Sequence, residues 1–182
     1  RIEMRSKSNK ELYSLMNSAE LDMAFVTEDY NAPDLDVEIM FKEDFMLIHP
    51  RCEGLDEAEP VGIMQLDHSR EITLLWSYSY LSWREDYLRA QSNRNVIVDI
   101  LPLANLYLQD GRHWMVAPAT TAAALAETFG LGLFRLEFPP PPRIYYMLTH
   151  SNAPRDKAEL TGAVKDEIYR QLSKNKWLKT IH

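Results

Sequence analysis

Residues 1–26 read RIEMRSKSNKELYSLMNSAELDMAFV, and this stretch decides the fold prediction. Residues 1–4 alternate polar and apolar side chains, which favours a strand. Ser8, followed three positions later by Glu11, forms a capping box and predicts the start of an amphipathic helix. The apolar run over residues 20–26 is too short for a buried helix and suits a buried parallel strand. The stretch therefore predicts a βαβ unit.

The rest of the chain continues the alternation of strands and helices. Residues 35–42 alternate apolar and polar side chains, which predicts a strand with one buried face. A second capping box, Ser82 with Glu85, predicts another helix start. Further on, Thr120 or Thr121 is predicted to cap an alanine-rich helix.

The last predicted helix carries an apolar side chain at every fourth position. This spacing predicts one apolar face that docks onto a core. The residues on that face are Leu160, Val164, Ile168 and Leu172.

Composition excludes several classes of protein. The 182 residues are 46% hydrophobic, which is typical of a globular protein, and the net charge of −7 disfavours direct binding to a phosphate backbone. Cys52 is the single cysteine, so no intrachain disulfide can form and a cytoplasmic setting is expected. The sequence contains neither a long apolar run nor a signal peptide, so no membrane association is expected. Because the chain begins with Arg1, we expect it to be part of a longer protein.

Motifs for catalysis and for metal binding are missing from the sequence. Its five histidines lack metal-ligand spacing, so no metal or cofactor is expected. The sequence has no Gly-x-Ser-x-Gly elbow, and the glycines at 130 and 132 are better explained as a helix stop than as part of a dinucleotide loop. An enzymatic role is therefore not predicted.

Small polar residues at the predicted strand-to-helix junctions are the most suggestive feature. They are Ser8 and Asn9, Thr27, the serines of residues 77–82, and Thr120 with Thr121. In open α/β sheets, ligands bind beyond the carboxyl ends of strands, where helix N-termini attract anionic groups. Each residue taken alone is better explained as a simple helix cap. Together they indicate a cleft for a small molecule.

Three segments resemble the effector-binding domain of LysR-type transcriptional regulators: residues 1–26, EDFMLIHP at 43–50, and LYLQDGRHWMVAP at 106–118. The resemblance implies an α/β fold of two lobes, similar to type II periplasmic binding proteins. Each lobe would hold a mixed sheet flanked by helices, with two crossover hinges between the lobes. Lobe I would comprise residues 1–66 and 149–182, without the first strand and helix of the family, and lobe II residues 67–148.

The resemblance also implies a set of ligand contacts. In lobe I they are Ser8, Asn9 and Thr27, and in lobe II they are Ser77, Tyr78, Tyr80, Ser82, Trp83 and Pro118. The family usually has a glycine where this chain has His113, so we expect a less permissive backbone there. An anionic or aromatic effector is expected from the helix N-termini and the tyrosines.

The function implied is that of a ligand-sensing and oligomerisation domain in a bacterial regulator. A small metabolite bound between the lobes would modulate DNA binding by a winged helix-turn-helix domain that this sequence lacks. The domain would form a homodimer, and the full-length protein a tetramer. The alternatives are a free-standing solute-binding protein of the periplasmic type and an enzyme on a similar fold, although the sequence supplies no catalytic set for the latter.

Overall fold

A computed structural model of the chain describes residues 2–51, 54–88 and 96–181, and helices and strands alternate within these ranges. The α-helices in these ranges are α1 (Asn9–Asn17), α2 (Tyr78–Leu88), α3 (Leu101–Leu108), α4 (Ala119–Phe129) and α5 (Arg155–Leu172). The strands are β1 (Met23–Val26), β2 (Leu35–Glu43), β3 (Phe45–His49), β4 (Ile72–Leu74), β5 (Val96–Val98), β6 (Met115–Pro118), β7 (Gly132–Phe134), β8 (Arg143–His150) and β9 (Leu178–Thr180).

Two compact units make up the chain. Unit 1 consists of Arg1–Lys42 and Ile144–His182, and unit 2 of Glu43–Arg143. The chain thus passes between the units twice, once near the end of β2 and once at the start of β8. These boundaries differ from the expected ones at 66/67 and 148/149, since β3 pairs with β6 and β7 inside unit 2.

Unit 1 is built on a four-stranded sheet in the order β1-β8-β2-β9. Leu12 and Met16 of α1 pack with Val26 and Leu148 in its core, as the predicted apolar helix face requires. The predicted parallel pairing of β1 is wrong, because β1 pairs with β8 in antiparallel register, Ala24 opposite Leu148. The predicted single buried face of β2 is also wrong, since Ile39 is exposed whereas Met40 on the opposite face is buried.

The segment before α1 does not form the predicted strand. Residues 2–7 lie outside the named strands, and Ile2 is 81% exposed. Alternation of polar and apolar residues favours a strand only where a partner strand accepts its backbone hydrogen bonds. The structure gives residues 2–7 no strand partner among the described residues. Arg1 lies outside those residues.

Helix α5 is the least buried helix of unit 1. None of its residues is fully buried, and on the predicted apolar face Val164, Ile168 and Leu172 are half-buried whereas Leu160 is 64% exposed. Ion pairs hold it beside the sheet: Lys157 Nζ lies 2.6 Å from Asp22 Oδ1, and Lys165 Nζ lies 2.5 Å from Glu38 Oε2. A groove of about 660 Å³ runs between the helix and the strands. Exposed ion pairs of this kind contribute little stability.

Unit 2 contains parallel and antiparallel strand pairs. Strand β3 lies between β6 and β7 and runs antiparallel to both. Strands β4 and β5 pair in parallel. The Ile72 N–H donates to the Trp114 carbonyl at 2.8 Å, and a parallel bridge from Glu71 to Trp114 links β4 to the start of β6. Strands β4, β5 and β6 therefore share one direction.

Three tryptophans brace unit 2 through their indole N–H groups. Trp76 donates to the Val116 carbonyl at 2.9 Å, Trp83 to the Phe138 carbonyl at 2.9 Å, and Trp114 to the Asp67 carbonyl at 2.8 Å. Buried indoles need such partners, because an unsatisfied N–H costs free energy. The bonds fix the carbonyl of Val116 in β6 and the loop carbonyls of Phe138 and Asp67.

A buried ion pair in unit 2 joins Glu71, directly before β4, to Arg84 of α2. Arg84 Nε donates to Glu71 Oε1 and Arg84 Nη2 to Glu71 Oε2, both at 2.8 Å, and the Thr73 hydroxyl donates to Oε1 at 3.0 Å. Removing one partner of such a pair leaves an uncompensated buried charge. The pair therefore fixes the position of α2 on the sheet of unit 2.

His68 lies beside this pair and is buried. Its ring meets the Trp114 ring edge-on at 5.7 Å, and neither ring nitrogen has a hydrogen-bond partner among the described residues. Burial lowers the pKa of His68, and Arg84 adds to the lowering, whereas Glu71 and Asp67 act in the opposite direction. The folded chain thus favours the neutral imidazole.

We predict that His68→Leu makes stability less dependent on pH. Because the pKa of His68 is lower in the folded than in the unfolded chain, the unfolded state binds more protons as pH falls below about 6.5. The wild type should therefore lose stability from about pH 6.5 downward, and the variant should lose less. Urea unfolding at pH 7.5 and pH 5.5 measures this difference, and an equal loss in both proteins would contradict it.

We predict that Ala19→Gly stabilises the protein. Ala19 follows the end of α1 with a φ of 56°, a left-handed conformation that costs an L-residue roughly 1 kcal/mol and glycine almost nothing. Its N–H donates to the Met16 carbonyl and the Glu20 N–H to the Leu15 carbonyl, as in a helix C-cap. The free energy of unfolding should rise by about 0.5–1 kcal/mol in urea titrations. As a matched control, Ala158→Gly inside the exposed α5 should lower it by a similar amount.

Candidate functional site

The carboxyl ends of the parallel strands in unit 2 form the candidate site. Helices α2, α3 and α4 begin after β4, β5 and β6, so their N-termini lie at the same edge of unit 2, here called the carboxyl edge. The Trp76 indole bond to Val116 joins the start of α2 to the end of β6 at this edge. Such edges are where open α/β sheets bind ligands.

Helix α2 starts earlier than the sequence predicted. The Ser77 hydroxyl accepts the Tyr80 N–H at 3.2 Å, so the helix begins at Tyr78 and Ser82 lies within it, exposed. The predicted capping box of Ser82 with Glu85 is therefore wrong. Ser77 caps the helix instead, because its hydroxyl accepts the N–H of Tyr80, three residues further on.

The predicted contacts on α2 differ in their surroundings. Tyr78 is 69% exposed, whereas Tyr80 and Trp83 are buried in the core of unit 2. The Tyr80 ring stacks on Phe45 at 5.2 Å, and burial raises the pKa of its hydroxyl. The structure thus places Ser77 and Tyr78 at the helix start and packs Tyr80 and Trp83 into the core beneath.

Helix α4 is capped by a residue from another segment. The predicted cap at Thr120 or Thr121 is wrong, because Pro118 takes the N-cap position and makes no side-chain cap. One oxygen of Glu43, Oε2, accepts the Thr120 N–H at 3.0 Å and the Thr120 hydroxyl at 2.8 Å. The Asp44 carbonyl accepts the Ala119 N–H at 2.9 Å. Glu43 is 1% exposed, so its carboxylate is an internal cap of α4.

Pro118 lies directly before this cap. It is buried and stands opposite Phe45 in the pairing of β6 with β3. The pairing brings Glu43 and Asp44, which precede β3, to the end of β6. At the other end of α4, Gly130 has a φ of 65° and ends the helix, as predicted.

In unit 1, the predicted contacts Asn9 and Thr27 bond to each other. The Asn9 Nδ2 donates to the Thr27 hydroxyl at 3.2 Å, and the Thr27 N–H donates to Asn9 Oδ1 at 3.1 Å. The two bonds tie the start of α1 to the carboxyl end of β1. Both residues are half-buried, so they form one polar cluster at that strand end.

Ser8 completes the predicted capping box of α1. The Ser8 hydroxyl accepts the Glu11 N–H, while Glu11 Oε2 accepts the Ser8 N–H at 3.0 Å and the Ser8 hydroxyl at 2.7 Å. These hydrogen bonds from Ser8 lower the pKa of Glu11. The N-terminus of α1 therefore already holds a carboxylate.

The structure also shows how His113 is accommodated. Its Nδ1 lies 3.1 Å from the Asp110 carboxylate, and its ring meets Tyr107 edge-on at 5.5 Å. The turn takes its positive φ at Gly111, and among the described non-glycine residues Ala19 alone has a positive φ. His113 thus adopts a backbone conformation that any L-residue can adopt.

The sequence did not lead us to expect that Glu43 caps α4. The sequence signal for this cap is the acidic pair Glu43 and Asp44 between two apolar strands, but the capped residue, Thr120, lies 77 positions away.

Across the described residues no group of three or more histidine, cysteine, aspartate or glutamate side chains is arranged for a metal ion. None of the described helices has the length and apolar character needed to span a membrane.

Comparisons with known proteins agree with this architecture. Residues 1–161 match the model of the family described as the LysR substrate binding domain. No curated protein sequence matches the chain. The BenM effector-binding domain with its effector benzoate is similar in structure, with a TM-score of 0.72 and 14% identity over 97% of this chain and 82% of that one. A reduced form of OxyR from N. meningitidis gives a TM-score of 0.69 and 20% identity over 96% and 81%.

Full-length BenM gives a TM-score of 0.71 at 14% identity over 97% of this chain. The chain spans 60% of the length of that protein. At these identities the solved structures show the fold, which is the mixed α/β fold of two lobes expected from the sequence.

Proposed function

Because its residues 1–161 match the LysR substrate-binding model, this chain belongs to that family, and we propose that it is the ligand-sensing and oligomerisation domain of a bacterial LysR-type transcriptional regulator. The family match is the observation that carries the proposal, and the two-lobe fold supports it. The family match also favours a regulator over a free-standing solute-binding protein. The proposed role is binding without catalysis.

The proposed effector is a small molecule that contacts polar groups of both units. BenM has benzoate as its effector, which supports a small organic molecule here. The proposed contacts in unit 1 are Ser8, Asn9 and Thr27. Those in unit 2 are Ser77, Tyr78, Ser82 and Pro118, and Tyr80 and Trp83 support them from the core.

Signalling would follow from unequal affinity of the effector for two states of the domain. An effector that binds one arrangement of the units more tightly shifts the population toward it. We propose that this shift reaches a winged helix-turn-helix domain outside this sequence. The net charge of −7 opposes contact with the negatively charged DNA backbone, which supports a sensing role for this domain. Acting on DNA in a bacterium would place the regulator in the cytoplasm.

We predict that Asn9→Ala and Ser82→Ala weaken the thermal shift that an effector produces. A screen of small acids, amides, amino acids and aromatic compounds identifies the effector, because a ligand that binds the folded state raises its melting temperature. Asn9→Ala should also cost about 1 kcal/mol, since it breaks both bonds with Thr27. Ser82→Ala should leave the unliganded stability unchanged, since Ser82 is exposed within α2.

Ser173→Ala, just beyond the end of α5, is the control and should respond like the wild type. A ligand response unchanged in both site variants would contradict the assigned contacts. A broad screen without any stabilising compound would contradict the sensing function itself.

An apolar patch on unit 2 supports the proposed dimer. Leu106 is 60% exposed on α3, and Leu103 and Tyr107 beside it on that helix are also exposed. Ile97 in β5 and Ile100, directly before α3, are also exposed. Contiguous exposed apolar groups of this kind mark protein interfaces. We propose that a second copy of the chain packs against this patch in the dimer, and that the full-length protein forms a tetramer.

We predict that Leu106→Glu dissociates the dimer. A charge at the middle of an apolar interface would remain unpaired when buried, which costs several kcal/mol. Light scattering coupled to gel filtration would then give a monomer mass for the variant and a dimer mass for the wild type. Met64→Glu, at an exposed methionine outside the patch, should keep the wild-type mass. A dimer that persists in Leu106→Glu would remove α3 from the interface.

A further inference from the structure

We infer that residues 138–143 of unit 2 form a stiff strap that holds the start of α2 in place. Arg143, at the end of the strap, is a positioning residue that acts on the start of α2 through Trp76. The proposed contacts Ser77 and Tyr78 directly follow Trp76. The part that the strap plays in sensing rests on the function proposed above, because the strap orders the residues next to those contacts.

The strap is stiff because of its composition. Residues 139–142 are prolines, whose rings fix the backbone φ. Each of residues 138–141 precedes a proline, which favours an extended backbone. Proline has no N–H to donate, and three of the four prolines are exposed whereas Pro140 is buried. Contacts at the two ends therefore do most to position the strap.

The first end of the strap is fixed against α2. The Phe138 carbonyl accepts the Trp83 indole N–H at 2.9 Å, and the Phe138 ring stacks on the Tyr87 ring at 6.1 Å. Directly before Phe138, the Glu137 N–H donates to the Val61 carbonyl at 3.0 Å. Hydrogen bonds and ring stacking thus hold this end in unit 2.

The other end of the strap contacts the residue that precedes Ser77. The Arg143 guanidinium carbon lies 5.5 Å from the centre of the Trp76 ring, a distance at which a cation is attracted to the face of an indole. The Trp76 N–H donates to the Val116 carbonyl at 2.9 Å, and its ring packs against the core of unit 2. Trp76 is therefore held both by the core and by Arg143.

The strap runs antiparallel to α2. Phe138 contacts Trp83 and Tyr87 inside the helix. Arg143, at the other end of the strap, contacts Trp76 before the helix. Five extended steps of a polyproline segment cover about 15 Å. The path from Trp76 to Trp83, with two extended and five helical steps, covers at most about 14 Å. One straight segment can thus reach both tryptophans.

Stiffness lowers the cost of keeping Arg143 over Trp76. A flexible segment would lose backbone entropy each time that its end was fixed, whereas prolines have little such freedom to lose. Side chains that are ordered before a ligand arrives also lose less freedom on binding. Arg143 is the last residue before the chain passes into unit 1. An effector that displaced Trp76 would therefore act on the second crossover through Arg143.

The test makes the strap flexible and measures the opening of Trp76. Pro141→Gly/Pro142→Gly changes two exposed positions and leaves the residues of both end contacts in place. Exchange of the Trp76 indole N–H with solvent is followed by NMR, and its signal is assigned by its loss in Trp76→Phe. The Trp114 indole N–H, which is bonded to the Asp67 carbonyl, is the internal reference. The ratio of Trp76 exchange to Trp114 exchange should rise about threefold or more.

Three variants serve as comparisons. Arg143→Leu removes the cation and should raise the same ratio, whereas Arg143→Lys keeps a cation that can lie over the ring and should raise it less. Pro33→Gly, at an exposed proline of a turn in unit 1, is the matched control for loss of a proline and should leave the ratio unchanged. A loss of global stability alone would speed exchange at Trp114 as well and would not raise the ratio.

A ratio that rises in the double proline variant and in Arg143→Leu, and rises less in Arg143→Lys, supports the strap. An unchanged ratio in the double variant, or equal ratios in Arg143→Leu and Arg143→Lys, would overturn it. If the double variant does not fold, the two Arg143 variants decide.

Failure of the strap can be told apart from failure of the sensing function, because the exchange measurements use no ligand. An unchanged ratio beside an effector that stabilises the domain would overturn the strap and uphold sensing. A selective response at Trp76 in a chain that no compound of the screen stabilises would uphold the strap and overturn sensing.

Discussion

The parallel alignment of β4, β5 and β6 is the constraint on which unit 2 depends. The Ile72 N–H bond to Trp114 and the pairing of β4 with β5 give these strands one direction. Since each strand is followed by a helix, three helix starts meet at one edge of the unit. Backbone groups buried in a sheet need partners, so the alignment cannot be changed locally. The polar groups of the candidate site are thus positioned by strand pairing.

Buried carboxylates in unit 2 are stabilised by specific donors. Glu71 receives both donors of Arg84 and the Thr73 hydroxyl, and Glu43 receives the N–H and hydroxyl of Thr120. Ionised groups are tolerated inside proteins only with such compensation. Glu71 joins the start of β4 to α2, whereas Glu43 joins the end of β2 to the start of α4.

Features set by neighbouring residues could be predicted, and features set by distant partners could not. The Ser8 capping box and the glycine at the end of α4 were predicted correctly because each depends on residues a few positions apart. The direction of β1 was not, since its partner β8 lies more than a hundred positions away. Local sequence alone allows either Ser77 or Ser82 to cap α2, and in the structure Ser77 is the cap. The ligand contacts inferred from the family resemblance stay predictions.

The distribution of indoles has a practical consequence for spectroscopy. Three of the four tryptophans of the chain belong to unit 2, each with its N–H bonded to a carbonyl of that unit, whereas Trp177 belongs to unit 1. Intrinsic emission therefore follows chiefly the melting of unit 2. Trp177 is the one tryptophan of unit 1, so its replacement by phenylalanine would leave an emission that reports on unit 2 alone. A single conservative substitution thus decides which half of the domain an unlabelled measurement follows.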